Sequence, residues 1–105
     1  MFKIVTIALL VSATPALAAP DRATAISTMA ALYRSVDVCG ALLDRTKLSA
    51  YADSIRPAGD ALFNVDLFRA TRDLDTAQKT WTKDQTDAFC QAEAKMAQTL
   101  GVTLQ

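Results

Sequence analysis

Histidine is absent from the chain, which removes the commonest general base near neutral pH and the commonest metal ligand. Ser-His-Asp and Cys-His catalysis within the chain go with it, as does haem held by histidine or attached through Cys-x-x-Cys-His. Cysteine is scarce too. Cys39 and Cys90 are too few for a structural zinc site and lack the Cys-x-x-Cys spacing of a redox pair. The three glycines, at 40, 59 and 101, are isolated, so no Gly-rich loop can cradle phosphate. There is no Asp-x-Asp-x-Asp calcium loop, and Asp73-Leu74-Asp75 reads as surface charge on a helix. Basic and acidic residues balance at 11 each, which gives no electrostatic pull toward nucleic acid or anionic membrane. Paired acids can hydrolyse glycosides across a cleft, but a chain this small leaves little room for one. The sequence therefore predicts no catalytic residue, no metal site and no cofactor.

Apolar runs long enough to span a bilayer are also missing. The one short run, Ile4 to Val11, follows Lys3 and precedes Ala16-Leu17-Ala18, the order of a cleaved secretory signal. No cysteine follows the run to accept a lipid anchor. Residues 1–18 are thus expected to be removed, leaving a single helical domain over residues 19–105 in the periplasm or outside the cell, with no stable membrane insertion. Two thiols in that oxidising setting tend to form one bond, and Cys39–Cys90 is the expected disulfide. By chain entropy such a loop stabilises a domain by about 4 kcal/mol.

What remains is helical periodicity. Asp21 is a cap for a first helix whose apolar residues Ile26, Met29, Leu32, Tyr33, Val36, Cys39, Leu42 and Leu43 recur at steps of three and four and form its expected buried stripe. Gly40 falls inside that span and is read as a close helix crossing. Thr46 is the expected cap of a second helix carrying Leu48, Tyr51 and Ile55, which Pro57 stops. Asp66 is the expected cap of a third, with Leu67, Phe68, Thr71, Leu74 and Ala77 on its buried stripe and Trp81 at its end. Thr82-Lys83-Asp84-Gln85 has the form of a capping box and opens a fourth helix, which Gly101 closes before a short tail. Phe89, Cys90, Ala92, Met96, Ala97 and Leu100 are its expected buried side. Sixteen alanines from Ala19 onward imply close approach and a thin core. The expected fold is all-α, a small antiparallel bundle of about four helices stapled by one disulfide, with the first and fourth adjacent.

Two features are weighed for function. Asp37 interrupts Val36 and Val38; it either faces the core as a pH-sensitive group or, as the spacing to Arg34 favours, forms a surface pair. Phe63, Phe68 and Trp81 flank loops and are candidates for a partner-binding patch, since exposed aromatics are enriched at protein contacts. An exported, non-catalytic, protein-binding or accessory module with an envelope protein as partner fits these features. An acid- or stress-responsive periplasmic chaperone and a small-ligand carrier are the alternatives.

Overall fold

The computed structural model describes residues 21–104; the expected signal at 1–18 lies outside them. Four helices follow in order: α1 Arg22–Cys39, α2 Arg45–Ile55, α3 Phe63–Gln78 and α4 Lys83–Leu100. No strand occurs among the described residues, so the all-α expectation holds, with one isolated bridge between Leu43 and Thr103.

Local chemistry sets most of the boundaries. The Asp21 carboxylate accepts the Thr24 N–H at 2.7 Å and starts α1 as expected. Thr82 and Gln85 form the full capping box at the start of α4. Several expectations fail. α1 stops at Cys39 instead of running to Leu43, because Gly40 takes the left-handed conformation at φ 67° and turns the chain out. A Cβ at Gly40 would meet nothing within 4 Å, so this glycine ends a helix and marks no close crossing. Asp44, not Thr46, caps α2 by accepting the Lys47 N–H at 3.1 Å. Asp66 caps nothing: α3 begins three residues earlier at Phe63, which places Asp66 in its first turn, where a carboxylate favours the helix dipole. Residues 79–82, Trp81 included, form the link to α4.

Alternating helix directions leave the first and third helices parallel, and their side chains show it. Arg22 reaches Asp66 at 2.6 Å and Arg34 reaches Gln78 at 2.8 Å, each 44 residues further along the chain. One constant offset at both ends means that α1 and α3 run side by side in the same direction. Between them lie Ala25, Ile26, Met29, Ala30 and Leu32 from α1 with Phe63 and Leu67 from α3, and Leu48, Ala52 and Ile55 of α2 complete this side of the core. α4 contributes only Ala97 as a buried residue, although Phe89, Cys90, Ala92, Met96 and Leu100 were expected beside it. The disulfide Cys39–Cys90, with Cα atoms 5.6 Å apart, ties the middle of α4 to the end of α1.

Residues 102–104, expected in a short tail, instead pair with the rest of the chain. Gly101 ends α4 in a left-handed conformation, and Val102 donates back to Ala97 at 3.0 Å in a Schellman arrangement. The chain then pairs with the segment after Gly40: Asp44 N–H donates to the Val102 carbonyl at 2.8 Å and Leu104 N–H to the Leu42 carbonyl at 3.2 Å. Val102 is buried in the core as a result.

Candidate functional sites

Exposed apolar side chains that cluster carry more information than a scattered few. Eight large ones are exposed among the described residues, and seven of them fall in two places. Leu62, Val65 and Phe68 project from α3 or its N-terminal edge. Tyr33, Val36, Leu42 and Leu104 surround the paired segments that follow the two helix-ending glycines.

The α3 face follows from helix geometry. With about 100° per residue, Val65 and Phe68 point away from the side occupied by Phe63 and Leu67. Phe68 is 64% exposed, Leu62 62% and Val65 48%, whereas Phe63 is fully buried. The Arg72 guanidinium lies 5.9 Å from the centroid of the Phe68 ring, a cation–π contact, and makes no ion pair among the described residues. Arg69 flanks the same ridge and pairs with Asp66. Asp73 lines the same ridge beside Arg69 and Arg72, so the face is apolar with a mixed-charge border.

The three aromatics expected to form one patch are therefore separated. Phe63 is core. Trp81 is half-buried and packs on Phe89, with centroids 5.0 Å apart and planes tilted by 50°. Phe68 alone stays in the patch, joined by Leu62 and Val65. Asp37 is a surface residue: it is exposed, accepts Arg34 at 3.1 Å and does not face the core. Arg34 also holds Asp75 at 3.0 Å and so links α1 to α3. Asp73 and Asp75 are side chains of the α3 surface, as expected.

One concavity is an open groove of about 590 Å³ along α1 and α3, floored by alanines such as Ala30, Ala70 and Ala77. Its only cation, Arg22, is spent on Asp60 and Asp66, both at 2.6 Å. These bonds raise the pKa of Arg22, and that of Asp60 is lowered chiefly by the Arg22 hydrogen bond. The groove is a packing valley closed by an ion cluster at one end. A smaller pocket of about 320 Å³ lies under Leu42 and Leu104.

Glu93, on α4 one turn beyond Cys90, has a buried Oε1 with no hydrogen-bond partner, and burial raises its pKa. No three His, Cys, Asp or Glu side chains converge as an ion site among the described residues, and no described helix is long and apolar enough to cross a membrane. No family model matches the chain, and neither a curated protein nor a solved structure shows significant similarity to it.

Proposed function

We propose that this protein is an exported, non-catalytic interaction module that docks an envelope protein on the solvent face of α3. The carrying observation is the ridge of Leu62, Val65 and Phe68, which lies on the side of α3 away from its own core and is framed by Arg69 and Arg72. Burying these side chains against a partner removes apolar area from water, and at roughly 25 cal/mol per Å² a ring the size of Phe68 contributes a central anchor. Arg72, which makes no ion pair among the described residues, offers a partner carboxylate two parallel hydrogen bonds beside the apolar contact, while Asp73 next to it offers an acceptor. The disulfide, which links two helices, suits work outside a reducing compartment.

The test is a photo-crosslinker placed at Val65, with a second at the exposed Lys83 as control, in cells grown under ordinary conditions. A single envelope protein captured at Val65 and not at Lys83, and bound at least about tenfold more weakly by Phe68→Ala, is the expected result. Equal capture at both positions, or binding that Phe68→Ala leaves unchanged, would remove α3 as the docking face.

A further inference from the structure

Two turns of backbone chemistry build the second apolar cluster. Gly40 and Gly101 each end a helix in the left-handed region and release a short extended segment, and the two segments pair at Leu43 and Thr103. Leu43 and Val102 pack against the core, while Leu42 and Leu104 stay exposed. Leu42 is 74% exposed although it is hydrogen-bonded through its carbonyl and held at a fixed place. Beneath the two leucines, Tyr33 and Val36 of α1 and Leu48 of α2 complete a concave wall around about 320 Å³. Four of the eight exposed large apolar side chains thus line one small pocket, and none of its lining residues belongs to α3.

Two charged residues border it. Asp37 is occupied by Arg34, whereas Arg45, on the first turn of α2, has no carboxylate partner among the described residues. The pocket is therefore apolar with one available guanidinium at its edge, a geometry that matches a ligand with a hydrocarbon body and an anionic head. Its volume is at the low end of the roughly 300–1,000 Å³ of small-molecule sites, which suits one short chain.

We infer that the pocket formed by Tyr33, Val36, Leu42, Leu48 and Leu104 binds a short, single-chain aliphatic carboxylate, with Arg45 holding the carboxylate. The site is separate from the α3 face and stands without it. Titration of the purified, oxidised protein with decanoate, decanol and decylammonium, followed by amide NMR, tests it.

Saturable decanoate binding with shifts at Leu42, Leu43 and Leu104 is expected, together with clearly weaker binding of the alcohol and the amine. Arg45→Gln should weaken decanoate about tenfold and leave decanol unchanged, while Arg45→Lys retains part of the preference. Arg45 is exposed, so both variants should fold. Decanoate and decanol binding equally well, shifts centred on Val65 and Phe68, or no saturation below the point where decanoate self-associates would each overturn the assignment. So would dimerisation abolished by Leu42→Ser in a protein that binds no decanoate, which would give the pocket to a second copy of the chain.

Discussion

α1 and α4 are the same length, 18 residues, each opens on a side-chain cap, and each closes on a left-handed glycine. They are nonetheless held in place by different physics. α1 buries six residues, among them Met29 and Leu32, and touches every other helix; α4 buries Ala97 alone. Local sequence signals make both helices, but only α1 is fixed by packing. What α4 lacks in buried surface is offset by a covalent bond at Cys90, by the buried Val102 just beyond its end and by the pairing of the C-terminal residues with residues 42–44. Helix formation and helix docking are thus separate problems in this chain, solved by different residues.

The contrast breaks most visibly at the sulfur bridge. Replacing Cys39 and Cys90 together by serine is expected to cost about 4 kcal/mol by the loop-closure argument. Hydrogen exchange should show where the loss falls: amides of α4 deprotect first while those of α1 and α3 remain the slowest. Uniform loss across all four helices would mean that α4 docks by packing after all. Met29→Ala attacks the other side and should cost about 3 kcal/mol in chemical denaturation, because a fully buried side chain leaves a cavity between α1 and its neighbours. Its exchange pattern should be the reverse, with protection falling across α1 and α3 together.

The smallest effect concerns Glu93. A carboxylate whose pKa is raised on folding costs stability while ionised, and that cost disappears as pH falls through the raised value toward the ordinary glutamate range. Glu93→Gln should accordingly be more stable than the parent protein at neutral pH, with the two converging in mild acid. Asp21 and Asp60 have the opposite sign. Their pKa values are lowered by hydrogen bonds, to Thr24 and to Arg22 respectively, so what they add is present above the ordinary aspartate range and lost as pH falls through their lowered values. A thermal scan against pH should therefore rise slightly on leaving neutrality and fall steeply only in stronger acid; a monotonic fall from pH 7 would mean that Glu93 is solvated.

Which parts were legible in the sequence follows the same division. Asp21, the Thr82–Gln85 box and Gly101 act on their immediate neighbours, and their roles could be read from a few residues. The disulfide followed from having only two cysteines in a chain that reads as exported. The α3 face did not, because Phe63 and Phe68 both look like stripe residues. Starting the helix at Phe63 sets the two rings about 140° apart, so that one must face the core and the other water. Asp66 hid that start by resembling a cap while serving Arg22 across the helix pair. Gly40 was misread for a related reason: periodic apolar residues continue to Leu43, and only the backbone angle shows that the helix has ended. The pocket was hidden more deeply still, since it depends on two segments separated by some sixty residues being brought together by two similar glycine turns.

The position of the sulfur bridge has one further consequence. Cys39 and Cys90 close the chain into a ring that contains α2, α3 and the first half of α4, with α1 entering at one junction and the last turns of α4 leaving at the other. A protease that nicks the exposed link around Pro57 to Gly59 therefore cuts a circle rather than a thread. Both fragments stay attached through the sulfur bridge.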